Sequence, residues 1–124
     1  MYQTYLITGA TGFLGRAVLQ LLLAHSCRVL ALVKNSDPLI YTLPKHVAVF
    51  YGDLTDKESL RDFFAAGGDN FCVLHCAGLI SIASKPDEAL YAVNVQGTRN
   101  IVDLCREFGA SRLIYVSSVH AIPE

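Results

Sequence analysis

The stretch Thr8-Gly9-Ala10-Thr11-Gly12-Phe13-Leu14-Gly15 constrains this chain more than any other, because three glycines at three-residue spacing separate an apolar run from a helical one. Tyr5-Leu6-Ile7-Thr8 before it reads as a strand. Phe13 to about His25 after it reads as a helix, with Leu14, Val18, Leu21 and Leu22 predicted to share its inward side. Glycine at such a junction lets the chain turn sharply, and it leaves backbone amides uncovered at the start of the helix. A tight turn with Gly15 allowing close packing would account for the glycines without any ligand, so the rest of the chain has to decide.

The same alternation continues. Arg28 to Val33 is a near-continuous apolar run, as expected of a strand covered on both faces by helices. Asn35 to His46, with Pro38 and Pro44, reads as a loop, and Val47 to Phe50 as a short third strand. After Gly52-Asp53-Leu54, Thr55 with Glu58 forms a capping-box pattern for a helix running to about Ala66, stopped by Gly67-Gly68. Phe71 to His75 is a fourth strand, and Pro86 opens a helix that reaches about Phe108. Arg112 to Val116 is the fifth strand. Strands alternating with helices predict an α/β fold, a doubly wound parallel sheet of about five strands.

Composition narrows the class. With 124 residues the chain suits one domain, spanning 1–124. Lysine plus arginine number 10 against 11 aspartate plus glutamate, a net charge of −1 that argues against nucleic-acid and anionic-membrane partners. Hydrophobic residues make up 52% and charged residues 17%, ample for a core. No apolar run is long enough to span a bilayer, and Met1-Tyr2-Gln3-Thr4 lacks the basic lead of a secretory signal, so a cytoplasmic protein is expected. Cys27, Cys72, Cys76 and Cys105 read as reduced thiols. Strand alternation would put Cys72 and Cys76 on one face and His75 on the other, so no metal site is expected.

The glycine spacing is G-x-x-G-x-x-G, without the Lys-Ser/Thr ending of a nucleoside-triphosphate loop, and it points to a dinucleotide. Four further motifs accompany it: Gly52-Asp53-Leu54, His75-Cys76-Ala77-Gly78, Asn94-Val95-Gln96-Gly97-Thr98 and Tyr115-Val116-Ser117-Ser118. In this order the five motifs resemble the extended short-chain dehydrogenase/reductase family along essentially the whole chain, and the resemblance implies its Rossmann fold with the five strands in the order 3-2-1-4-5. Within it the segments look most like dihydroflavonol reductases and 3β-hydroxysteroid dehydrogenases, and sugar-nucleotide epimerases share most of them.

The resemblance implies that Gly9, Thr11, Gly12, Phe13, Leu14 and Gly15 hold the pyrophosphate, that Asp53 contacts the adenine amino group with Leu54 beside the ring, and that Cys76, Ala77, Gly78 and Ser117 line the cofactor. Ser118 would be the active-site hydroxyl that polarises a substrate carbonyl or hydroxyl, and Asn94 would support the catalytic side of the cleft. Gly97 would permit close packing there. No carboxylate stands at Val33, and Lys34 follows it, so NADP is expected over NAD, which remains open, with Arg16 as a second phosphate contact.

The family's Tyr-x-x-x-Lys is not found on a helix. Its only match, Tyr41 to Lys45, contains Pro44 and is taken as coincidence. The expectation is therefore the cofactor-binding N-terminal part of an NADP-dependent reductase or dehydrogenase, inactive alone and truncated after strand five. In the full-length protein it would act on a small-molecule carbonyl or secondary alcohol. Self-association through the exposed sheet edge is expected. The alternatives are an NAD-dependent sugar-nucleotide epimerase/dehydratase and a non-catalytic NAD(P)-sensing regulator.

Overall fold

A computed structural model describes residues 2–77 and 92–116. Five strands, β1 (Thr4–Thr8), β2 (Arg28–Val33), β3 (Ala48–Tyr51), β4 (Phe71–His75) and β5 (Arg112–Tyr115), pair in parallel in the order β3-β2-β1-β4-β5. This is the predicted Rossmann-like order, with strand ends shifted by no more than a residue. Helices α1 (Phe13–Ala24), α2 (Arg61–Ala65) and α3 (Thr98–Phe108) cover the sheet. A π-helical turn, Ala92–Gly97, leads into α3. The expected start of that long helix at Pro86 lies outside the described residues.

Alternating side chains divide the core. Leu6, Leu30, Leu32, Phe71 and Val73 face α2 and α3, where they meet Phe63, Phe64, Ile101 and Leu104. Ile7, Val29, Ala31, Cys72 and Leu74 face the other way, onto Leu19 of α1. Cys76 packs with this second cluster, so Cys72 and Cys76 do share a side. Gly97 is buried against Leu54, and a Cβ there would stand 2.9 Å from the Leu54 Cβ, so the start of α3 packs closely on the turn after β3.

Two local expectations are corrected. Leu14 and Leu21 do not face inward; they are 44% and 62% exposed, while Gly15 and Leu19 are buried. The cause is Gly15, whose added Cβ would lie 1.8 Å from the Gly9 carbonyl oxygen. That contact sets the rotation of α1, so the inward stripe runs through Gly15 and Leu19, four residues apart. Thr55 is not a helix cap either. Its N–H and hydroxyl both donate to Asp53 Oδ1, at 2.9 and 2.8 Å, and a 3₁₀ turn, Lys57–Leu60, precedes α2. Glu58, the expected partner in the capping box, instead pairs with Arg61. An aspartate two residues ahead competes for the same groups in an Asx turn.

Thiols apart, His75 is the one ionisable side chain among the buried residues of the described core. It is 1% exposed and sits between Thr8 of β1 and Thr98 of α3. Burial pulls its pKa down to about 4 from the usual 6.5.

Two outcomes follow from this packing. Gly15→Ala, which helix propensity alone would favour, is expected to destabilise the protein by about 2 kcal/mol or more, read as a lowered thermal midpoint; an unchanged or higher midpoint would refute the contact. In the pH dependence, the unfolded chain binds a proton on His75 near pH 6.5 and the folded protein only near 4. Stability is therefore full above pH 6.5 and declines by up to about 3 kcal/mol as the pH falls toward 4. Urea midpoints at about pH 7 and about pH 4.5 check this, and the slope should flatten in His75→Gln.

Candidate functional site

The carboxyl ends of β1, β2 and β4 open onto a cleft of about 300 Å³. Parallel sheets bind ligands at this end, where the connections to either side diverge. The glycine loop forms one wall. Gly9 has φ +75°, and a Cβ there would fall 2.7 Å from the Ala77 nitrogen, so glycine is required by the fold itself. Gly12 donates from its N–H to the Gly9 carbonyl at 3.0 Å and caps α1, accepting the Arg16 N–H at 2.9 Å.

Gly12 differs from its neighbours. Its φ of −80° and ψ of 174° suit any residue, it is exposed, and the nearest atom to an added Cβ is the Gly9 oxygen at 3.3 Å. The fold therefore demands glycine at positions 9 and 15, whereas at Gly12 it sets only the one tight contact with the Gly9 oxygen and leaves the residue exposed toward the cleft it lines. Uncovered amides and the positive end of α1 make that opening suited to an anion.

Opposite the loop stand Lys34 and Asp37, just beyond β2. Thr11 donates its hydroxyl to Asp37 Oδ2 at 2.7 Å, and the second oxygen, Oδ1, accepts the Leu39 N–H at 2.9 Å. Asp37 was not singled out from the sequence, where it falls inside a stretch that reads only as a loop. An acidic residue near the end of the second strand was the available signal, displaced four positions past Val33.

The apolar side of the cleft includes Leu54, Ala77 and Val93, with Cys76 beside them. The Cys76 thiol is half-buried and burial raises its pKa, which keeps it protonated and a weak nucleophile. Asp53 lines an adjoining hollow of about 410 Å³ together with Lys34. The two hydrogen bonds from Thr55 hold its carboxyl below the usual range, with smaller help from the nearby Lys34 charge, so it is an ionised acceptor.

Of the residues expected at the site, Gly9, Thr11, Gly12, Lys34, Leu54, Cys76 and Ala77 line the cleft, and Asp53 its neighbour. Gly15 lies buried beneath the loop. Phe13, 99% exposed, and Leu14 are outside the cleft lining. Arg16 also turns away: its guanidinium reaches the Thr11 carbonyl at 3.4 Å and the Thr42 hydroxyl at 3.5 Å. Asn94 is half-buried on the π-helical turn, next to the cleft-lining Val93. Gly78, Ser117 and Ser118 lie outside the described residues. Tyr41 sits on a 3₁₀ turn, Ile40–Thr42, and Lys45 follows beyond Pro44, so this pair shares no helix.

Residues 5–124 match the NAD dependent epimerase/dehydratase family. A 3 beta-hydroxysteroid dehydrogenase type 7 of Rattus norvegicus is 33% identical over 95% of this chain and 36% of its own length. Among solved structures, the UDP-glucose 4-epimerase of Thermus thermophilus in complex with NAD superposes with a TM-score of 0.83. It is 32% identical, over 93% of this chain and 37% of that one. The Bordetella bronchiseptica enzyme WbmG in complex with NAD gives 0.78 at 26% identity, over 93% and 37%. The chain thus spans about a third of the length of the relatives it matches.

These relatives overturn the expectation of NADP, since the Thermus thermophilus and Bordetella bronchiseptica structures that fit this fold are complexes with NAD. Lys34 favours a 2′-phosphate only while the carboxylate three residues on is left out of account, and Asp37 in the cleft would repel that phosphate. On the five-motif pattern, the strand order and the match over nearly its whole length, the chain belongs to the NAD dependent epimerase/dehydratase family.

Proposed function

We propose that this chain is the NAD-binding part of an epimerase or dehydratase acting on a sugar nucleotide, with the substrate-binding region supplied by sequence beyond it. The observation that carries the reading is Gly12, an exposed helix-capping glycine with a backbone conformation open to any residue and one close contact, to the Gly9 oxygen, that opens on the cleft. A Cβ there would occupy the space nearest the α1 amides, where a pyrophosphate would be held. Asp37 is an acceptor suited to ribose hydroxyls, and Leu54 and Ala77 offer apolar surface to a ring while excluding water. When bound, NAD supplies the chemistry by taking a hydride from a secondary alcohol carbon or returning one to a carbonyl. The likeness to a hydroxysteroid dehydrogenase favours a second reading in which the alcohol belongs to a sterol, with the same hydride exchange.

Calorimetric titration with NAD tests the proposal. The protein should bind NAD more tightly than NADP. Gly12→Val, whose Cβ meets the Gly9 oxygen, should still fold with a thermal midpoint lowered by several degrees while losing at least about tenfold in NAD affinity. Asp37→Ala should weaken NAD more than NADP. Undiminished binding in Gly12→Val would remove the assignment.

Exposed Ile114, Tyr115 and Val116 at β5, which pairs only with β4 among the described residues, support self-association of this chain. Light scattering should find a dimer or larger species at micromolar concentration, and a monodisperse monomer would count against it.

A further inference from the structure

Beneath the cleft floor runs a chain of hydrogen bonds that the cofactor assignment does not use. Thr8 and His75 stand directly opposite each other in the β1–β4 register, and His75 stands opposite Tyr115 in the β4–β5 register. The Ala77 N–H donates to Thr8 Oγ1 at 3.1 Å. His75 Nδ1 lies 2.7 Å from the same oxygen, and His75 Nε2 lies 3.2 Å from Thr98 Oγ1. The Tyr115 ring stacks on the imidazole at 5.6 Å between centroids and 21° between planes, restricting its rotation.

The direction of the chain follows from donor counting. Thr8 is wholly buried, and its oxygen already accepts from Ala77. Its own proton needs an acceptor, which Nδ1 provides. The ring proton then resides on Nε2 and is donated to Thr98. One side chain is thereby bonded toward the Ala77 wall of the cleft on one side and toward the first residue of α3 on the other. Thr98 follows the π-helical turn that carries Val93 and Asn94, and Val93 also lines the cleft.

We propose that His75 is a positioning residue for the nucleotide cleft, holding the Ala77 backbone and the start of α3 in one geometry through Thr8 and Thr98. This rests on the NAD-binding reading for its functional consequence, though not for its physical content. Without the ring, Ala77 would keep its bond to Thr8 and the start of α3 its packing on Leu54, but the hydrogen-bonded link between the two would be lost. The cleft would then have to be ordered at the expense of binding.

The test separates positioning from mere stability. Thr98→Val removes one acceptor at a half-buried site while keeping the side-chain shape. It should lower the thermal midpoint modestly, as the His75 Nε2–H loses its acceptor, and lower NAD affinity roughly fivefold or more, and it should move the amide resonances of Thr8 and Ala77. His75→Asn keeps an acceptor facing Thr8 but cannot reach Thr98, so it should weaken NAD similarly, and adding Thr98→Val to it should cost nothing further. Unchanged NAD affinity in both single variants, with only the midpoint lowered, would overturn the proposal. If the unaltered protein binds no NAD, the functional reading falls, and the resonances alone decide this one. A Thr98→Val perturbation that reaches Thr8 and Ala77, and is lost in His75→Asn, sustains the coupling. A perturbation confined to α3 overturns it.

Discussion

The approach of α1 to the end of β1 governs the arrangement of this molecule. With no side chain at Gly15, the helix backbone comes down onto the Gly9 carbonyl, to a distance at which a Cβ would overlap that oxygen. The approach sets the helix's rotation, so Leu19 enters the core and Leu21 is left outside. It also places the start of the helix over the sheet's carboxyl end. The cleft therefore begins as a packing result, and Gly12, the glycine between the two that packing requires, is left exposed on the cleft with a single close neighbour, the Gly9 oxygen.

The strands were legible because burial on both faces demands continuous apolar runs, and Val29 to Val33 and Phe71 to Leu74 satisfy that demand with hardly a polar interruption. Their order followed from motif order. The helix face was less legible, since α1 is rich in leucines all round and periodicity could not choose among them. Only the Gly15 contact, which involves another element, settles the rotation. The turn after β3 failed for a different reason. Asp53 and Thr55 are both good capping residues two positions apart, and which one bonds the backbone depends on a competition between chemically similar groups.

The site was legible where backbone geometry makes it and obscure where side chains meet across the fold. Glycines, Leu54 and Ala77 are visible as motif residues. Asp37 lies in a loop with no pattern of its own and acquires its place through the Thr11 hydroxyl, 26 positions away. His75 opens the His75-Cys76-Ala77-Gly78 motif, but the sequence gives it no partners. Its partners Thr8 and Thr98 become its neighbours only through the β1–β4 register and the packing of α3.

These two kinds of residue divide the work of the cleft. Lys34 and Asp37 belong to a connection over residues 34–46, tied to the glycine loop by Thr11 to Asp37 and to α1 by Arg16 to Thr42. Neither residue is in the core, so a change of charge there alters what the cleft attracts at small cost in stability. Gly9, Gly15 and His75 are set in the packed interior, where any change must move backbone or strand a buried polar group. A cleft built this way can change its preference between ribose and phosphate through one exposed loop while its floor stays the same. That separation explains why the sequence was a better guide to the existence of the nucleotide site than to which nucleotide it takes. Existence is written in glycines whose reason is steric and local, whereas preference depends on the sum of charges on a loop whose position is set from elsewhere.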